Sequence, residues 1–124
     1  MKLTDLAIRD LILINNTPHK IQAIDSIDAE ILADDELYYV GEDRCHSEDK
    51  IEGIPITPEI LEKNGWWYDS DDMWQHEEVG FYIEKWNGRF QCYDINDIKL
   101  DSVHQLQHTL RLCGLNELAD NFKV

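Results

Sequence analysis

Apolar and polar positions alternate along the first third of the chain in a way that predicts strands. Leu11-Ile12-Leu13-Ile14 is a short apolar run, and Asn15-Asn16-Thr17-Pro18 after it has the composition of a turn. His19-Lys20-Ile21-Gln22-Ala23-Ile24 alternates as a half-buried strand should. Ile27 to Leu32 and Leu37 to Val40 read as two further strands, separated by Asp34-Asp35. Three or four short strands with acidic turns predict a small β-meander over residues 1–40, either a curled sheet or a small SH3-like barrel, with one face buried and one wet. The stretch from Gly41 to Lys50 has almost no apolar content, so residues 41–53 read as a surface loop.

The period changes beyond it. In Ile54-Pro55-Ile56-Thr57-Pro58-Glu59-Ile60-Leu61, Thr57 is placed to cap a helix, Pro58 fits its first position and Glu59 suits its positive end. Asn64-Gly65 ends that helix in the left-handed manner. Phe81 to Trp86 and Arg89 to Tyr93 flank Asn87-Gly88, the pattern of a hairpin with a two-residue turn. The register that follows sets Trp86 opposite Arg89, Glu84 opposite Gln91 and Tyr82 opposite Tyr93. Phe81, Ile83, Phe90 and Cys92 then share the other face, which is the expected core. Val103, Leu106, Leu110 and Cys113 recur at helical spacing, Ser102 and Gln105 match a capping box, and Gly114 stops the helix. A final short helix near Asn116 to Asn121 is expected to tuck Leu115, Leu118 and Phe122 onto the body.

The reading is therefore one α+β domain over residues 1–124. A meander (1–40) and a hairpin packed with two or three short helices (54–124) are joined by the loop 41–53. At 43% hydrophobic residues the chain can build a core without staples. The three cysteines, Cys45, Cys92 and Cys113, are widely spaced and odd in number, which predicts reduced thiols, at least two of them packed as small hydrophobes. No apolar run is long enough to span a membrane. The opening Met1-Lys2-Leu3-Thr4-Asp5 lacks the pattern of a signal peptide, so the cytosol is the expected compartment.

Charge changes the picture most. With 26 acidic and 11 basic residues the net charge is −15, a field that repels nucleic acid and anionic membranes and favours a basic protein partner or plain solubility.

Several segments also carry a resemblance. Leu6-Ala7-Ile8-Arg9-Asp10, then Ile54 to Trp66, then Val103-His104-Gln105-Leu106-Gln107 occur in the order seen in a group of short proteins encoded by Bacteroides-type bacteria and their phages, to which this chain is similar. The group shows an Ile-Pro-Leu-Thr-like helix start, a Gly-Phe-like helix end and a terminal Val-His-Gln-Leu-Gln helix. This chain departs from it at Arg9-Asp10, where the group often has Gly-Asn, and at Trp66, where it often has Phe. The resemblance implies an origin in a bacterial or mobile-element genome and transfers no catalytic residue.

The candidate chemistry is thin. His104 and His108 lie four apart on a helix, a spacing that suits a metal, but no Glu follows His104 as in His-Glu-x-x-His, and a structural role is preferred. Cys45-His46 are neighbours on a loop, which does not hold a nucleophile and base at activating distance. Asp69-Ser70-Asp71-Asp72 resembles the start of a calcium loop, yet it lacks the turn Gly, and Gly80 stands at the twelfth position; it reads as a solvated acidic turn between two strands. The aromatics carry more weight. Trp66, Trp67, Tyr68 and Trp74 surround that turn, and Trp86 could lie over Arg89. Core filling is the preferred reading of Trp66. A surface mixing Trp and Tyr with acids has hot-spot composition.

The sequence thus leads to a non-enzymatic interaction protein, a phage or mobile-element accessory with no cofactor. It would bind a protein partner through Trp67, Trp74, Trp86, Tyr82, Arg89 and Tyr93. A sharper form is an acidic inhibitor that mimics nucleic acid through Asp25, Asp28, Glu30, Asp34, Asp35 and Glu36. The alternatives are a metal-dependent enzyme using His104 and His108, or a small assembly subunit.

Overall fold

Two asparagines make the first turn. Asn15 and Asn16 have φ of 51° and 67°, the paired positive values of a tight hairpin loop that Asn tolerates better than most residues. They join β1 (Leu11–Ile14) to β2 (Thr17–Asp25), with Ile14 paired to Thr17. Asp34 and Asp35, at 49° and 62°, do the same between β3 (Glu30–Ala33) and β4 (Glu36–Tyr39). The structure, a computed structural model, describes residues 3–40, 50–93 and 98–124. The chain is α+β and divides into two compact units, Met1–Ile54 and Pro55–Val124.

In the first unit the expected meander is present. A 3-10 turn at Leu3–Asp5 precedes it, and β5 (Ile51–Gly53) returns to pair with β1, giving the order β4-β3-β2-β1-β5. That order is one a curled sheet and a small SH3-like barrel share. The first half of β2 pairs with β1 and the second with β3, with a register shift between Ile21 and Ala23 that bends the sheet there. Leu6, Ile12, Ile14, Ile21, Ile31, Ala33 and Val40 fill the concave side.

Two expectations need correction here. Residues 51–53, assigned to the connecting loop, form β5. Asn15 ties it in, accepting from the Lys50 amide through its side chain (2.9 Å) and donating its own amide to the Lys50 carbonyl (2.9 Å). Ile27 is not in a strand. It lies in the β2–β3 turn at 92% exposure, because the Asp25 carboxylate accepts from the amides of Ile27 and Asp28 and curls the chain before β3 begins. Residues 41–49, with Cys45 and His46, lie outside the described residues.

A sharp turn precedes β1. The buried Asp10 accepts from the Ala7 amide (2.8 Å), and Arg9 is held at φ 72° with its amide on the Ile21 carbonyl (2.7 Å). A left-handed backbone costs a side-chain-bearing residue about 1 kcal/mol. Arg9→Gly is therefore expected to raise the urea midpoint, by roughly 0.5–1 kcal/mol of stability. A lower midpoint would show that the Arg9 side chain contributes more than its backbone costs.

The second unit is a four-stranded antiparallel meander with three helices. Its order is β6 (Trp66–Asp69), β7 (Met73–His76), β8 (Tyr82–Trp86), β9 (Arg89–Cys92). The expected hairpin is β8–β9, turning at Asn87 (φ 50°) and Gly88 (φ 78°), with Trp86 opposite Arg89 and Glu84 opposite Gln91. It is half of a larger sheet, since the strands around the acidic turn extend it. Helix α1 (Pro58–Lys63) starts as expected, with the Thr57 hydroxyl accepting from the Ile60 amide (3.2 Å). The Asn64 side chain is clamped to the chain end, its amide nitrogen donating to the Lys123 carbonyl and its oxygen accepting from the Lys123 amide, both at 2.8 Å.

Helix α2 (Val103–Leu112) buries Val103, Leu106, Gln107 and Leu110, and Gln105 completes its half of the capping box by accepting from the Ser102 amide (3.1 Å). Cys113, placed on that stripe by spacing, is exposed at the helix end, so only Cys92 of the two described cysteines is packed. Helix α3 (Asn116–Asp120) is tied to α2 by Gln107, whose amide donates to the Ala119 carbonyl (2.9 Å). Phe122 is buried as expected, while Leu115 and Leu118 remain half-exposed. No helix among the described residues is long and apolar enough to cross a membrane.

Candidate functional site

The pairing of the second sheet sorts its side chains into two faces. Trp66, Tyr68, Trp74, His76, Ile83, Lys85, Phe90 and Cys92 share one parity; Trp67, Asp69, Met73, Gln75, Tyr82, Glu84, Trp86, Arg89, Gln91 and Tyr93 share the other. The first face is the core side. Trp66, Trp74, Phe81, Ile83, Phe90 and Cys92 are all buried there, and Trp66 also meets Phe122, with ring centroids 6.3 Å apart.

The second face is the candidate site. Trp67, Tyr82, Trp86 and Tyr93 are 48%, 36%, 61% and 53% exposed. Trp67 pairs with Gln75 and Gln75 with Tyr82, and the Tyr93 amide donates to the Tyr82 carbonyl (3.1 Å), so these residues form one line across the four strands. The Tyr82 and Tyr93 rings meet edge to face at 6.3 Å. A second line runs two residues away along the strands: Asp69, Met73, Glu84, Gln91. Its carboxylates are oriented from neighbouring strands, since the Gln75 amide donates to Asp69 and the Gln91 amide donates to Glu84 (3.2 Å). Trp86 and Arg89 close the far corner.

Five of the six residues expected to bind a partner therefore lie on one face. Trp74 does not. It is 5% exposed on the core side, because it is an inward position of β7, paired with the buried Ile83 on β8 and edge-on to Tyr68 on β6 (5.3 Å). The Trp86–Arg89 cation–π pair does not form. The Arg89 guanidinium donates to Asp101 at 3.1 and 2.5 Å, and that hydrogen bond, then the Coulombic attraction, raises its pKa further above the ordinary value. On the other face Lys85 does lie over a ring, 5.7 Å from the Phe90 centroid.

Asp69, Met73, Gln75, Glu84 and Gln91 also lie on this face, although the sequence pointed to Asp69 only as part of an acidic turn and to Glu84 and Gln91 only as a facing pair. The signal was the acidic turn itself: treating Trp66–Asp69 and Met73–His76 as paired strands and applying the two-residue period places Asp69, Met73 and Gln75, while the Asn87-Gly88 hairpin places Glu84 and Gln91.

The remaining candidates are structural in their surroundings. The His104 and His108 rings are 5.8 Å apart, edge to face; His104 is buried with Nδ1 3.0 Å from the Ser102 hydroxyl. Among the described residues no group of three or more His, Cys, Asp or Glu side chains is arranged to hold a metal. In the acidic turn Asp71 and Asp72 have φ of 69° and 58°, and the Asp72 amide donates to the Tyr68 hydroxyl (3.3 Å). The acidic row of the first unit is divided between one end of β3, with Asp25 closing β2 and Asp28 in the turn, and the other end, with Asp34 and Asp35 in the turn and Glu36 opening β4, while Glu30 is half-buried. Asp34 there pairs with His19 at 2.5 Å. No protein-family model matches this chain, and no curated protein or solved structure matches it either.

Proposed function

We propose that this protein is a non-enzymatic interaction module that captures a basic protein partner on the outer face of its second sheet. The observation that supports the reading is the line Trp67, Tyr82, Tyr93 with Trp86, exposed on a face that also presents Asp69 and Glu84. Large aromatic side chains are costly to leave in water, and Trp and Tyr are the residues that most often carry interface energy. The net charge of −15 supports a cationic partner and speeds its encounter. The similarity to proteins of Bacteroides-type bacteria and phages makes an accessory role in a bacterial cytosol the setting we infer. An inhibitor that occupies the basic surface of a nucleic-acid-binding protein is the form of the reading that uses the acidity most fully.

Capture from a bacterial lysate tests it when the variants are compared side by side. Trp67→Ala and Trp86→Ala are each expected to weaken retention of the captured protein by roughly 1–2 kcal/mol, about 5- to 30-fold, while Leu37→Ala, an exposed apolar truncation in the first unit, leaves it unchanged. Retention should also fall as salt rises. Equal retention by all three variants would overturn the proposal.

A further inference from the structure

We infer that the occupant of this face is a basic amphipathic helix carrying two cationic side chains seven residues apart. The inference rests on the docking reading above and adds the shape and spacing of the partner. Asp69 and Glu84 stand on the same line across the sheet but two strands apart, with Met73 between them. Adjacent strands are about 4.8 Å apart, so Asp69 and Glu84 stand about 10 Å apart at the backbone. An extended segment offers same-side positions at about 7 and 13.5 Å, and neither matches. A helix offers positions seven residues apart on one side at about 10.5 Å.

The other dimensions agree. From β6 to β9 the line crosses three strand gaps, about 14 Å, the length of roughly ten helical residues. The aromatic line lies about 7 Å from the carboxylate line, so a helix about 10 Å wide covers both. Its apolar residues three and four positions along then rest on Met73, Tyr82 and Trp67. The carboxylates are prepared for the role. Each accepts from a glutamine amide, and Asp69 also accepts from the Ser70 amide (2.8 Å); a carboxylate has about four acceptor sites, so both keep room for an ammonium or guanidinium group. Of the cations on this face, Arg89 is already paired with Asp101, and Lys99, opposite Gln91, stands beyond the end of the carboxylate line, two strands from Glu84.

The test uses the whole chain and three side-chain-bridged or linear synthetic peptides of equal charge. One is a helix with lysines seven apart and leucines between them. The second is a helix of the same composition with its lysines on opposite sides. The third is an extended peptide of alternating lysine and valine. Tryptophan emission and amide shifts report binding. The first peptide is expected to bind about tenfold more tightly than the others, with Asp69→Asn and Glu84→Gln each removing about fivefold of that advantage and leaving the other two peptides unaffected. Equal affinities for the three peptides, or tighter binding of a single-stranded RNA, would overturn the helix. If that happens while Trp67→Ala still weakens capture of the native partner, the spacing argument fails and the docking face stands. If Trp67→Ala changes neither peptide binding nor capture, the docking reading itself fails.

Discussion

Trp66→Ala is expected to cost about 3–5 kcal/mol and to unfold most of the second unit at ordinary temperature. The ring is 1% exposed. It touches His76, Phe81 and Phe122 at centroid separations of 4.7, 6.2 and 6.3 Å, and its Nε1–H donates to the Phe81 carbonyl (3.1 Å). Truncation leaves a large apolar void and removes the donor from a buried carbonyl. Because Trp66 and Trp67 are consecutive on β6, the variant is also expected to lose partner capture, with the lost tertiary structure showing in near-ultraviolet circular dichroism. Trp66→Phe keeps most of the apolar volume and is expected to fold, with a lower urea midpoint and capture intact. A well-folded Trp66→Ala protein would mean that this ring is not the centre of the unit.

Gly65→Ala is expected to be nearly as damaging, for a different reason. Gly65 follows α1 at φ 93°, which a side-chain-bearing residue adopts at a cost of about 1 kcal/mol. A Cβ there would sit 2.7 Å from the His76 Nε2 and 3.1 Å from its Cε1. The imidazole has nowhere inexpensive to go. Its Nε2 is 2.7 Å from the Asn64 carbonyl, its Nδ1 is 3.1 and 3.3 Å from the Glu78 and Val79 amides, and its face lies against Trp66. A carbonyl accepts and amides donate, so the ring is the tautomer with the proton on Nε2. We expect Gly65→Ala to cost about 2–4 kcal/mol in chemical denaturation. In a His76→Ala background the same change should cost about 1 kcal/mol, the backbone contribution alone. Equal costs in the two backgrounds would show that the ring yields without resistance.

These two residues also show where the sequence was legible. Asn64-Gly65 was readable as a helix stop because a left-handed residue after a helix is a local backbone requirement. That the same glycine also leaves room for His76, eleven positions on, was not readable, because the close approach is created by the pairing of β6 with β7. The Asn87-Gly88 turn sets its own register, and the Phe81, Ile83, Phe90, Cys92 core followed from it correctly. Ile27 is apolar yet lies outside any strand, because the Asp25 side chain bends the backbone just there.

By itself the sequence determined the local rules: the paired Asn and Asp turns, the Thr57 cap, the two-residue period of the strands and a net charge of −15. Each depends on residues close in the chain or on a simple sum. Only the tertiary structure decided which aromatic residues are available. Trp67 and Trp74 are alike in composition and surroundings along the chain, yet one is 48% and the other 5% exposed. Parity within the sheet separates them, and which parity faces the core depends on what packs there, including Phe122 from the far end of the chain. The same pairing set Asp69 and Glu84 on one line across the sheet, a spacing that no window of sequence contains.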